Sequence, residues 1–367
     1  MRIAILHSSF TEGNNGAERL SYEMAREWGS KLYTCIYDPK VSCVYPNISK
    51  MIEVKKISHP GSFTRKSFEI MEIMTEREDI DADFIFYSGN LPVFRVRKYP
   101  TPYIYFCHTP ERGFFDLREE LERKMRTWGP VKYRVAKRFF EKRRKMDIDL
   151  FTNVVNPKQV VTNSRWIMDR YEKAYGKRPR AAVGAPIDTD KFRHRESEDF
   201  FFTASGLRFN KRIDWQIRAA AESDVKLVVA GDGDERRELE KLAGKLHANV
   251  EFAGRVGDNE LVDLYSRCKA FIFTARDEDF GMVPLEAMAS GKPVLCVNEG
   301  GPLEYLDPSN SMLFDDVEGL AKLLKDVKDK DLSGMKNSCI DTAKRFDTKV
   351  VSSRIRTEMD SILDEFY

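Results

Sequence analysis

Short apolar runs alternate with amphipathic stretches along the whole chain. Arg2–His7 reads as a buried strand, and Ala17–Trp28 places Leu20, Met24 and Trp28 at helical spacing. Further strands are predicted at Phe84–Tyr87, Tyr103–Cys107 and Val160–Thr162. After Pro186 the alternation restarts, with Phe200–Ala204, Lys226–Ala230, Val250–Ala253, Ala270–Thr274 and Pro293–Val297 each followed by a helical pattern. Strands alternating with helices imply parallel sheets covered on both faces. Two such series, split by the polar stretch Asp188–Asp199, predict an α/β chain with two Rossmann-like doubly wound domains. Ligands of such sheets bind beyond the carboxyl ends of the strands, and with two domains the active site is expected in the cleft between them.

Composition agrees with this class. The 367 residues are 42% hydrophobic and 33% charged, with a net charge of +2, which fits a folded soluble protein of about two domains. No apolar run approaches the length of a spanning helix, and the four-residue run Ile3–Leu6 is too short for a secretory signal. Six scattered cysteines show neither a Cys-x-x-Cys pair nor zinc spacing. A cytoplasmic location is expected. Asp-x-Asp pairs recur seven times, too often in an aspartate-rich chain for any one to single out a metal site.

The residues just after the strands carry the candidate chemistry. Ser9–Gly16 (SFTEGNNG) follows the first strand and opens a helix, so it suits either an anion site or an ordinary turn. It lacks the G-x-G-x-x-G dinucleotide fingerprint, which disfavours a nicotinamide enzyme. His108 ends the strand Tyr103–Cys107 and precedes Pro110 and Arg112, the latter a candidate contact for an anion or a sugar. In the second series, Glu278 lies in the loop after Ala270–Thr274. Pro284 suits a first helical turn, Glu286 lies on that helix, and Gly291 with Pro293 ends it. Two carboxylates thus flank one helix start, whose free amides and dipole suit phosphate or hydroxyl oxygens.

The segment Arg276–Val294 resembles the signature of retaining glycosyltransferase family 4, in which two glutamates stand at this spacing. Phe280-Gly281 follows the first, and Leu285-Glu286-Ala287-Met288-Ala289 surrounds the second. Val229–Gly233, Val250–Val256, Gly300–Glu304, Asn163–Arg165 and Pro186–Phe192 resemble other parts of the family in the family's order. The resemblance implies a GT-B architecture: an acceptor-side domain over 1–186, a nucleotide-sugar domain over 187–347, and a C-terminal helix 348–367 packing back on the first. It implies that Glu286 holds the donor ribose, and that Glu278, with Phe280, Gly281, Met282 and Val283, holds the transferred sugar. His108 would face that sugar, Gly16 the diphosphate, Val256 the donor's base side, and Asn14 and Arg112 the acceptor. His108, Glu278 and Lys211 are the expected catalytic residues.

The family carries an arginine five residues before its lysine. Lys211 matches the lysine, but Gly206 occupies the arginine position, which leaves Arg208 or Arg212 as the second cation. In the GT-B reading the helix dipole and Lys211 stabilise the leaving diphosphate, so neither a metal nor another cofactor is expected. Lys211–Asp214 and His108–Pro110 look most like mannosyltransferases of bacteria and archaea. The expected donor is therefore a nucleoside-diphosphate sugar, GDP-mannose first and a UDP-sugar as the alternative, with a glycan or lipid-linked acceptor. A degenerate GT-B scaffold that binds without catalysis is the rival from another class.

Arg123–Lys145 holds 11 Lys plus Arg and one acid, a charge of +10 that leaves −8 for the remainder. Trp128, Val131, Val135 and Phe139 share one face of the expected helix. Such a helix suits an anionic membrane surface or a polyanionic acceptor; the alternative is a core-packed helix whose outer face is merely basic. No nucleic-acid motif accompanies the charge.

Overall fold

The computed structural model describes residues 1–11, 15–54, 80–97 and 101–366. The chain divides into two units, Met1–Gly184 with Ser352–Tyr367, and Ala185–Val351. The expected boundary at 186/187 and the observed one at 184/185 lie two residues apart.

The first unit is built on Ile3–Phe10 (β1), Lys31–Tyr37 (β2), Ile52–Val54 (β3), Phe84–Ser88 (β4), Tyr103–Cys107 (β5), Val160–Thr162 (β6) and Ala181–Ala182 (β7). These pair in parallel in the order β3-β2-β1-β4-β5-β6-β7. The second unit uses Phe201–Ala204 (β8), Leu227–Ala230 (β9), Val250–Gly254 (β10), Ala270–Phe273 (β11), Val294–Val297 (β12) and Ser311–Phe314 (β13). Their order is β10-β9-β8-β11-β12-β13, again parallel. In each sheet the strand order reverses once, between β1 and β4 and between β8 and β11. Such a reversal opens a crevice beyond the strand ends. Among the described residues, both sheets have the two-layer covering that their uninterrupted apolar strands demand: β4, β5, β9, β11 and β12 are buried along their whole length.

Helices start and stop where local chemistry dictates. Asn15 caps Gly16–Trp28 through the Ala17 amide, and Gly29, at φ 60, ends it. Ser164 caps Arg165–Tyr175, which ends at Gly176 with φ 70. The second core joins Leu227, Val229, Ile272, Leu295 and Val297 to Ile217, Ala220, Leu320 and Leu324 of the covering helices. Truncating one of these, such as Leu227→Ala, should cost about 2–5 kcal/mol. From Ser352 onward the C-terminal helix Thr348–Phe366 lies on the first unit. Trp28 Nε1 donates to Ser352 Oγ at 2.7 Å, and Arg180 pairs with Glu358 at 2.6 Å and Glu365 at 2.8 Å.

The basic segment is not one helix. Arg118–Arg126 and Pro130–Asp149 are separate helices, joined through Thr127, Trp128 and Gly129 at φ 90. The inward face is set by Met125, Ala136 and Phe140, which pack with Phe114, Leu121 and Tyr133. Val131 and Val135 are 72% and 65% exposed, and Trp128, on the connection, is 40% exposed. The stripe read from sequence as the apolar face therefore points outward.

Candidate active site of the second unit

The loops after β8 and β11, on either side of the strand-order reversal, carry the expected donor residues. Lys211 Nζ donates to Glu278 Oε2 at 2.6 Å, with both side chains about three-quarters buried. Thr274, just after β11, donates its hydroxyl to the Lys211 and Arg212 carbonyls at 2.7 and 3.1 Å. Buried Gln216 donates in turn to Thr274 Oγ1 at 2.8 Å. The Arg276 amide bonds the Asn210 carbonyl at 2.8 Å. The basic loop is thus fixed to the strand that delivers Glu278. Arg212, at φ 50, pairs with Glu299 at 2.8 Å and lies 4.5 Å over the Trp215 ring. The Arg208 side chain is exposed and has no hydrogen-bond or ion-pair partner among the described residues.

Glycines set the backbone of this site by close approach. A Cβ on Gly301 would lie 2.1 Å from the Asp279 carbonyl oxygen, and one on Gly300 2.8 Å from that of Glu278. The Gly301 amide donates to the Glu278 carbonyl at 2.8 Å. Gly231 and Gly233 approach the loop after β8 in the same way: a Cβ on the first would lie 1.9 Å from Ser205 O and one on the second 2.3 Å from Leu207 O. Side chains at these four positions would push out the two loops that carry Lys211 and Glu278.

Gly281, at φ 80, precedes the helix Met282–Ala289, and Pro284 sits in its first turn. The Gly281 carbonyl accepts from Tyr305 Oη at 2.5 Å, while the amides of Met282 and Val283 begin the helix. Phe280 is 3% exposed and packs against Tyr305 and Phe346, so its ring anchors the loop. Glu286 is 8% exposed and its Oε2 accepts from Tyr265 Oη at 2.9 Å. Val256 follows β10 half-buried. Five supporting residues are absent from the sequence reading: Thr274, Gln216, Tyr265, Glu299 and Tyr305. Glu299 stands two residues beyond β12, where the strand-end rule would have found it. Tyr265 and Gln216 lie inside helices and give no local signal.

In the first unit His108 follows β5. Its Nε2 lies 2.9 Å from Ser88 Oγ at the end of β4, and its carbonyl accepts from Asn163 Nδ2 at 3.2 Å. Desolvation, with His7 adding to it, pushes the His108 pKa down to about 3. Gly16 is exposed at the first turn of its helix. Arg112 is bound to Asp116 through Nε at 2.8 Å and Nη2 at 2.7 Å. Asn14 lies outside the described residues.

Residues 186–346 match the family described as glycosyl transferases group 1. The chain is 28% identical over 196 residues to the GDP-mannose-dependent monoacylated alpha-(1-6)-phosphatidylinositol monomannoside mannosyltransferase of Corynebacterium glutamicum, covering 45% of this chain and 51% of that protein. It is 26% identical over 249 residues to the human alpha-1,3/1,6-mannosyltransferase ALG2, covering 60% of this chain and 58% of that protein. The match thus spans little more than half the length of these curated relatives. Among solved structures, Anabaena HepE in complex with UDP and glucose superposes with a TM-score of 0.75 at 18% identity, covering 98% of this chain and 100% of HepE. Residues 186–346 match the group 1 glycosyl transferases, and the chain as a whole has the two-domain α/β fold of GT-B glycosyltransferases and resembles mannosyltransferases.

Proposed function

We propose that this chain is a retaining, metal-independent glycosyltransferase that moves mannose from GDP-mannose to a glycan or lipid-linked acceptor. The observation that carries the reading is the Lys211–Glu278 pair, 2.6 Å apart at the head of the helix that bears Glu286. Breaking a bond between a sugar and a diphosphate leaves growing negative charge on the phosphate oxygens. The Lys211 ammonium and the amides at the start of Met282–Ala289 are placed to stabilise it. Arg208, unpaired among the described residues, is the cation able to turn to the diphosphate in place of the arginine absent at Gly206. Glu278 would accept from the sugar hydroxyls and Glu286 from the ribose. The mannosyltransferase relatives support the donor. Following the anomeric proton by NMR tests this reading: GDP-mannose should be consumed to an α-configured product, in excess EDTA as without it. A β product, dependence on added Mg²⁺, or consumption of a UDP-sugar in its place would contradict it.

We also propose that the basic helix pair meets an anionic membrane surface. Exposed Val131 and Val135 lie among Lys132, Arg134 and Arg138, which are exposed and have no ion-pair partner among the described residues. Apolar residues ringed by cations suit an interface rich in acidic lipid. Arg144, by contrast, is held by the Phe114 carbonyl at 3.0 Å and belongs to the local structure. Among the described residues, no helix is long and apolar enough to cross a membrane.

A further inference from the structure

The strand β5 ends at Cys107, and its last ladder partners are Ser88, opposite Phe106, and Thr162, opposite Cys107. His108 and Thr109 lie past both, where their carbonyls need partners that the ladder does not supply. Two side-chain amides take over. Asn163, the residue after β6, donates Nδ2 to the His108 carbonyl at 3.2 Å. Asn90, two residues after β4, donates Nδ2 to the Thr109 carbonyl at 3.0 Å. A carbonyl oxygen only accepts, so each asparagine presents its nitrogen there and its oxygen to the far side. On that side the hydroxyl of fully buried Tyr105 donates to Asn90 Oδ1 at 2.6 Å, and Ser164 Oγ donates to Asn163 Oδ1 at 3.2 Å. Ser164 Oγ also accepts from the Ile167 amide at 3.1 Å as the cap of Arg165–Tyr175, which ties Asn163 to that helix start.

The two bonds fix different torsions. The direction of the His108 carbonyl sets ψ at 108, and that of the Thr109 carbonyl sets ψ at 109. Pro110 already confines Thr109 to extended backbone. With its backbone pinned from the ends of both neighbouring strands, the His108 ring is kept where Nε2 lies 2.9 Å from Ser88 Oγ. We infer that Asn90 and Asn163 are positioning residues, a two-sided clamp on the His108–Thr109 backbone that holds the imidazole in place for the reaction. The inference rests on the reading in which His108 faces the donor sugar. Both asparagines act on the backbone that carries the ring, so their effect on turnover passes through His108.

The test measures kcat and donor KM in Asn90→Ala, Asn163→Ala and His108→Ala, and in each asparagine change combined with His108→Ala. Each asparagine variant should lose about 10–10²-fold in kcat with KM little changed. Once His108 is alanine, the same change should cost no more than about twofold further. A wild-type kcat in folded Asn90→Ala, or an equal loss with and without His108, overturns the clamp. Asn90 is half-buried, so its alanine variant decides the matter even where Asn163→Ala fails to fold. A second measurement needs no activity: NMR titration of His108 in ¹⁵N-histidine protein, its signals assigned by their loss in His108→Ala. Burial holds the wild-type ring at about 3 against an ordinary 6.5, so its signals should stay fixed between about pH 5 and pH 8. In Asn90→Ala the released loop admits water to the ring, and His108 should titrate within that window. A His108 that stays fixed in folded Asn90→Ala overturns the clamp even where turnover falls. A protein whose His108 responds as expected yet turns over no donor refutes the functional reading alone.

Discussion

Replacing Gly301 by alanine should disable the site through backbone crowding. The added Cβ would lie 2.1 Å from the Asp279 carbonyl oxygen, 2.7 Å from its carbonyl carbon and 3.0 Å from the Phe280 Cα, all backbone. Ordinary contact begins at 3.4 Å, so the two segments must separate by about 1.3 Å, and no rotamer change can absorb it. Glu278 precedes Asp279 and its carbonyl holds the Gly301 amide at 2.8 Å. Its carboxylate therefore moves with the loop, away from the 2.6 Å contact with Lys211. A misplacement near 1 Å costs about 10²-fold in rate, and the overpacking costs about 1–3 kcal/mol of stability. For a unit of this size that lowers Tm by roughly 3–10 °C. The assay is release of nucleoside diphosphate from the donor well below Tm, with Gly334→Ala as control, because nothing lies within 4 Å of a Cβ there. Turnover of Gly301→Ala within twofold of wild type, or an equal loss in Gly334→Ala, would refute the clamp.

Lys211→Ala should lower turnover by about 10²–10³ while the protein stays folded, since it removes one fixed cation from the leaving diphosphate; a rate within threefold of wild type would show that the ammonium does not act there. Asp147 is buried, and desolvation, opposed by the Tyr175 hydroxyl, raises its pKa to about 7. The native state thus keeps a proton that the unfolded chain loses near the ordinary aspartate value of 3.8, so stability falls as pH rises between the two and the full cost remains above about 7. Asp147→Asn should therefore raise Tm at about pH 8, by a stability gain of about 2–4 kcal/mol, and little at about pH 4; an equal gain at both would contradict the shift. For the membrane face, wild type should sediment with phosphatidylglycerol vesicles at low salt and release at about 0.5 M salt. Reversing Lys132, Arg134 and Arg138 to Glu should abolish sedimentation, and binding to neutral phosphatidylcholine would speak against the electrostatic account.

The sequence is most transparent where strands are buried on both faces. The apolar runs at 103–107 and 160–162 coincide with β5 and β6, and those after Pro186 fall within a residue of β8 to β12. β2 and β13 escape the pattern. Lys31 and Thr34 interrupt the first, and Ser311 opens the second, so neither forms a continuous apolar run. Periodicity also runs through Gly129, where a positive φ breaks the basic segment in two, and it does not tell the exposed Val131 and Val135 from the inward Ala136 and Phe140. Within the site, Lys211, Glu278 and Glu286 are legible from position and from the family resemblance. What fixes them is not. Thr274 holding the Lys211 carbonyl, Tyr265 on Glu286 and Ser88 on His108 are contacts between residues 20 to 63 positions apart, and no local rule reaches that far.

The central claim, that the second unit is a nucleoside-diphosphate-sugar site, is tested most directly by isothermal titration of the intact protein with GDP, UDP and ADP, repeated on Glu286→Ala. The account predicts micromolar binding of GDP in preference to the other two, weakened in Glu286→Ala by about 1.5–3 kcal/mol through loss of hydrogen bonds to a charged group. Failure to bind any of the three, or wild-type affinity in Glu286→Ala, would contradict it.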